Sequence, residues 1–180
     1  NIGVKSHLCI LAVHKTAATD RFAAAIRRLP VSDTLLIGDE AHGLGVFGEH
    51  GKGLAEHFGL QDQIDIQMGT LSKAAGSFGA YCCGSRNLIN YLIQTARSFI
   101  YTTGMPPSVA AASMMAIDII AREKQTRQRL WENTRYMLGQ LKLSGFDTAQ
   151  SQSPIIPIMI KKDLLAVEFS TKLMEAGVFL

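Results

Sequence analysis

The sequence predicts an α/β fold, a mostly parallel sheet flanked by helices, and three observations carry that reading. Residues 34–38 form a short apolar run, Thr-Leu-Leu-Ile-Gly, without polar alternation, as expected of a strand covered on both faces. Residues 64–68 and 79–84 are two more short strand candidates. Beyond them the hydrophobic pattern changes to stretches of helical period, each ten or more residues long.

Local signals set the elements in order. The strand at 34–38 is followed directly by Asp39, and Lys73 lies just past the strand at 64–68 in a turn of small residues. Residues 87–99 read as a helix with Leu88, Leu92 and Ile93 as apolar neighbours. Pro106 and Pro107 punctuate the chain, and Ser108 is the expected N-cap of an Ala- and Met-rich helix running to about Ala121. The apolar character of that helix predicts burial. Residues 127–143 are amphipathic, with Leu130, Met137, Leu138 and Leu141 on one side, interrupted by Thr134, and Gly145 ends the helix. Residues 155–160 read as a strand in which Pro157 marks an edge or bulge, and 164–176 as a helix.

Two motifs carry chemistry: Asp39-Glu40-Ala41-His42-Gly43 and Gly69-Thr70-Leu71-Ser72-Lys73. In open α/β sheets ligands bind outside the carboxyl ends of the strands, so Asp39, His42, Thr70 and Lys73 are expected to converge on one crevice. Asp39, His42 and Lys73 each have an ordinary structural alternative: a helix cap or turn residue, a structural histidine, a solvated surface lysine. Ten glycines between Gly43 and Gly84 shift the balance, because that density implies close backbone approach. A lysine amine can bond to the aldehyde of pyridoxal phosphate, and a carboxylate can hold a proton on its pyridine nitrogen.

The runs at 39–53, 65–77 and 97–107, spaced and in this order, resemble the α-oxoamine synthases. That resemblance is strongest from about Thr34 to Pro107. It implies a fold-type I pyridoxal-phosphate transferase that condenses an amino acid with an acyl thioester and loses carbon dioxide. By resemblance, Lys73 is the Schiff-base lysine and the general base, Asp39 the partner of the pyridine nitrogen, and His42 the donor to the phenolic oxygen. Thr70 resembles a phosphate ligand, and Thr102 and Thr103 a segment that reaches the phosphate of the neighbouring subunit. The implied assembly is a homodimer with shared sites.

The resemblance favours L-alanine and a pimeloyl thioester, on coenzyme A or acyl carrier protein, in biotin biosynthesis. Acetyl transfer to glycine, another member's reaction, or a truncated non-catalytic homologue stand as alternatives. It also implies that residues 1–121 belong to the large cofactor domain and 122–180 to the start of a smaller α+β carboxyl-terminal domain. Residues 1–33 match poorly: His14 to Thr19 do not reproduce the family's acidic element, so no site residue is assigned there. The family's segment ahead of the aspartate, and its substrate-carboxylate arginine, are not found in the 180 residues, so the chain reads as a fragment.

Composition agrees with part of a soluble cytoplasmic enzyme. Net charge is +3 with no basic run, which argues against nucleic acid, and the charges from Arg122 to Arg135 read as a solvated helix face. No apolar run approaches the roughly 20 residues that span a membrane. Cys9, Cys82 and Cys83 lack metal-ligand spacing and are expected to be buried thiols, with no metal site.

Overall fold

The computed structural model describes residues 7–12, 19–28 and 34–179. A four-stranded sheet has the order β1-β2-β3-β4, with β1 at His7–Ala12, β2 at Thr34–Asp39, β3 at Ile66–Thr70 and β4 at Ala80–Gly84. The first two pairs are parallel and β3-β4 is antiparallel. Helix α1 (Thr19–Arg28) makes the crossover from β1 to β2, as a parallel pair requires. Between β2 and β3 lie a glycine-rich loop, the short helix α2 (Leu54–His57) and a 3-10 turn at Gln61–Gln63. β1 and α1 fall in the segment to which no site residue was assigned. His14 to Ala18, the side chain of Cys9, and Leu180 lie outside the described residues.

The core sits between α1, β2 and the loop after it. Ile26, Leu36, Phe47, Leu54, Ala55, Leu60 and Ile64 are buried together, with Val46, Phe58 and Trp131 packed against them. Trp131 comes from α6 (Lys124–Leu143); its ring meets Phe47 edge-on at 5.3 Å and its indole N–H donates to the Val46 carbonyl at 2.9 Å.

The carboxyl-terminal half is helical, with several departures from expectation. The helix expected over 87–99 breaks at Ala96 into α3 (Arg86–Thr95) and α4 (Arg97–Ile100). Ser85 caps α3 by accepting from Leu88 N–H. Helix α5 spans Pro107–Arg122, so Pro106, not Ser108, is its N-cap. Pro107 fits the first helical position because its missing N–H would have no partner there. Nor is α5 buried: Met114 and Met115 are 71% and 60% exposed, and Ser113 is its one buried residue. Among the described residues no element covers its outer face, which is why apolar composition alone misled.

Helix α6 buries Thr134 on the expected apolar side, where Leu130, Leu138 and Leu141 are half-buried and Met137 is exposed; it also buries Arg127, which overturns the reading of that residue as part of a solvated face. It closes at Ser144 and Gly145, with Phe146 N–H on the Leu141 carbonyl. Residues 155–160 form no strand. Pro157 has no N–H to donate, and no described strand lies beside the segment; Met159 N–H reaches the Asp147 carbonyl instead. Helix α7 (Asp163–Glu175) follows. Cys82 and Cys83 are free and exposed, not buried, because β4 is the outer strand of the described sheet. Among the described residues no cluster could hold a metal ion, and no helix is long and apolar enough to cross a membrane.

Candidate active site

Strands β2 and β3 run parallel and adjacent, so their carboxyl ends open on one edge of the sheet. Asp39 ends β2 and Thr70 ends β3. The ladder continues one step beyond, with Glu40 N–H donating to the Met68 carbonyl at 2.7 Å. Asp39 Oδ1 accepts from Ala41 N–H at 2.9 Å, a local turn that starts the loop toward His42.

Lys73 sits in the connection from β3 to β4. Three backbone bonds close that turn: Leu71 N–H to Gly79, Ser77 N–H to Leu71 and Gly76 N–H to Lys73. The Thr70 hydroxyl stands 2.7 Å from Ser72 Oγ and 3.2 Å from the Gly79 carbonyl, bracing the same turn. From this platform Lys73 Nζ reaches within 3.2 Å of His42 Nε2. Ala74, the next residue, packs where a Cβ on Gly45 would fall 2.6 Å away, and Gly45 has φ +75°. Only glycine satisfies both demands, so the two loops close on each other at that point.

The structure thus brings His42 and Lys73 into contact and puts Asp39 and Thr70 on the same sheet edge. Thr102 and Thr103 lie exposed in the segment between α4 and α5.

Sequence reasoning missed Glu40. It is 1% exposed, and its carboxylate accepts from Leu54 N–H at 3.0 Å and Ala55 N–H at 2.8 Å, the open amino end of α2. Gly53, with φ +110°, leaves the room this carboxylate occupies. Burial pushes the Glu40 carboxyl above its usual range; the two backbone donors pull the other way and Asp39 adds to the rise. Tyr81 was missed as well. It pairs with Gly69 across β3-β4, and its hydroxyl lies over that glycine. Burial, with the Glu40, Cys83 and Asp39 charges, pushes its phenol up to about 12, so it stays protonated.

The same loop is gripped from outside by α6. Arg127 donates to the Glu49 and Ile120 carbonyls, and Lys124 pairs with the Glu49 carboxylate at 2.6 Å, holding it below the usual carboxyl range. Nothing in the local sequence pairs residues so far apart; a buried arginine inside a charged helix gives no periodic signal.

An amine, an imidazole, a carboxylate and a hydroxyl on one strand edge suit an aldehyde cofactor with a phosphate, and the model of the aminotransferase class I and II family matches residues 16–180. The chain belongs to that family and, within it, to the α-oxoamine synthases that its motifs resemble. It is similar to 8-amino-7-oxononanoate synthase of Thermoanaerobacter pseudethanolicus, 48% identical over 141 residues, 78% of this chain and 36% of that relative. The Bacillus subtilis 8-amino-7-oxononanoate synthase 1 is 45% identical over 147 residues, 82% of this chain and 38% of the relative. The solved 8-amino-7-oxononanoate synthase of Francisella tularensis superposes with a TM-score of 0.82 at 27% identity, covering 99% of this chain and 53% of that one. The architecture is accordingly that of a fold-type I transferase, and the chain spans 36–38% of the length of these two curated relatives.

Proposed function

We propose that the protein containing this chain carries out the decarboxylating condensation of L-alanine with a pimeloyl thioester, using pyridoxal 5′-phosphate. The observation that carries this is the Lys73–His42 contact beyond the ends of β2 and β3, three residues from Asp39 and three from Thr70. The relatives named 8-amino-7-oxononanoate synthase support the choice of substrates.

When bound, the cofactor supplies an aldehyde for an amine and a ring that draws electrons from the substrate's α-carbon. Lys73 would anchor it through the amine and, once released, take the substrate α-proton. Asp39 would keep a proton on the pyridine nitrogen. His42 would donate to the phenolic oxygen, and Thr70 would bind the phosphate through its hydroxyl. Thr102 and Thr103 would reach the phosphate site of a second subunit, making the active unit a cytoplasmic homodimer. Residues 1–121 would belong to the cofactor domain and 122–180 to the smaller one, with the helical path interrupted at Glu123.

Turnover of the full-length protein with alanine, glycine and serine, each against several acyl thioesters, tests the assignment. Preference for alanine and a pimeloyl thioester is expected. Preference for glycine and an acetyl thioester would move the reading to acetyl transfer, and no turnover with any pair would overturn it.

A further inference from the structure

Ser77 and Ser113 form a hydrogen bond that no motif explains. Their hydroxyl oxygens are 2.8 Å apart across 36 residues of chain. Ser113 is 5% exposed on α5 and also donates to the Val109 carbonyl at 2.9 Å. A hydroxyl has one proton and a carbonyl only accepts, so Ser113 spends its proton on Val109 and Ser77 must donate to Ser113. The bond therefore has a fixed direction.

Its position matters more than its strength. Ser77 lies in the turn that carries Lys73 and is fastened within it by its own N–H to the Leu71 carbonyl. On one side the turn leans on the β2-α2 loop through Ala74 against Gly45. On the other, Ser77 ties it to a helix. The amine is set by a turn clamped between two elements that belong to different parts of the chain.

We propose that Ser77 and Ser113 are positioning residues for Lys73: their bond latches the turn to α5, so that the Lys73 nitrogen is already placed to bond to the aldehyde carbon of pyridoxal phosphate with loss of one water. This rests on the reading of Lys73 given above. Preorganisation of this kind appears as affinity, because a turn already fixed loses no freedom on binding.

The test compares two probes on the full-length protein. Pyridoxal phosphate can bond to an amine; pyridoxamine phosphate has the same ring and phosphate but no aldehyde. In Ser77→Ala, in Ser113→Ala and in the double variant, affinity for pyridoxal phosphate should fall by about fivefold, the size of one net hydrogen bond. The drop should be the same in all three, since either change breaks the one bond. Affinity for pyridoxamine phosphate should stay within about twofold. Ser77→Thr, which keeps the hydroxyl, should restore the parent ratio, and Ser108→Ala, exposed on the same helix, should leave it unchanged.

A merely structural role would weaken both probes together, and that result, or no change in either, overturns the latch. If Ser113→Ala fails to fold, the half-exposed Ser77→Ala alone decides. Lys73→Ala is the separate control: if it leaves the ratio of the two affinities at the parent value, the Lys73 reading itself fails and the latch with it.

Discussion

Lys73 Nζ and His42 Nε2 lie 3.2 Å apart, although 31 residues separate them in sequence. A charged amine has protons but no lone pair, so in that state His42 accepts at Nε2 and carries its own proton at Nδ1. The pair joins the loop after β2 to the turn after β3, and any ligand held by both must sit at that junction.

Lys73→Ala should lower turnover by at least about a thousandfold, because it removes both the anchoring amine and the base. Borohydride reduction of the cofactor-loaded protein followed by peptide mapping should place the label on Lys73. Label on Lys52 would show that another lysine does the work.

Asp39→Asn should keep measurable cofactor and lose exchange of the substrate α-proton with solvent. The amide can hydrogen-bond a ring nitrogen but cannot stabilise a charge on it. Proton exchange at the parent rate would remove Asp39 from the electron-sink role.

Glu40 should make stability depend on pH with an unusual sign. Its carboxyl is raised in the folded protein above the usual carboxyl value, chiefly by burial. Between that value and the raised one, the native state binds more protons than the unfolded chain, so this group's contribution falls as pH rises through the window. In Glu40→Gln the contribution disappears, and the difference between parent and variant in urea unfolding should vary with pH across the acid range. The amide also turns a donor toward the N–H groups of Leu54 and Ala55, at a cost of about 1–3 kcal/mol. A pH-independent difference would refute the burial argument.

Arg127→Ala should destabilise the fold by about 2 kcal/mol, since it strips charged donors from the Glu49 and Ile120 carbonyls. Arg127→Lys should fall between parent and alanine, because an ammonium cannot span both carbonyls as a fork does. Urea midpoints for the three proteins settle the order.

Mixing a Lys73→Ala protein with a Thr102→Ala/Thr103→Ala protein should restore part of the activity if the threonines serve the neighbouring subunit. A mixed dimer then has one site with both defects and one with neither. Subunit exchange without recovery would place the threonines in their own subunit's site, or in none.

Local signals made β2, β3 and β4 legible to within two residues, because short apolar runs ending in glycine or a charge leave few alternatives. The sheet edge bearing Asp39 and Thr70 followed from the same signals. Pairings across long stretches of chain did not. Glu40 meets α2 fourteen and fifteen residues later, and Ser77 meets Ser113 on a helix with no matching pattern. Burial of α5 and a strand at 155–160 were expected from composition, but both need neighbours that local sequence does not specify. Arg127 shows the opposite error: a charge assigned to solvent that satisfies two carbonyls inside.

The antiparallel register of β3 and β4 bears on how this protein can change over generations. Gly69 faces Tyr81, and Thr70 faces Ala80, with the Lys73 turn spanning the gap. Side chains alternate along a strand, so a slip of one residue would exchange Tyr81 for Cys82 beside Glu40 and send the phenol to the other face. Point changes within the turn leave that alternation intact. The loss or gain of one residue has to be absorbed by the register of a whole strand. The turn should therefore drift in composition far more readily than in length.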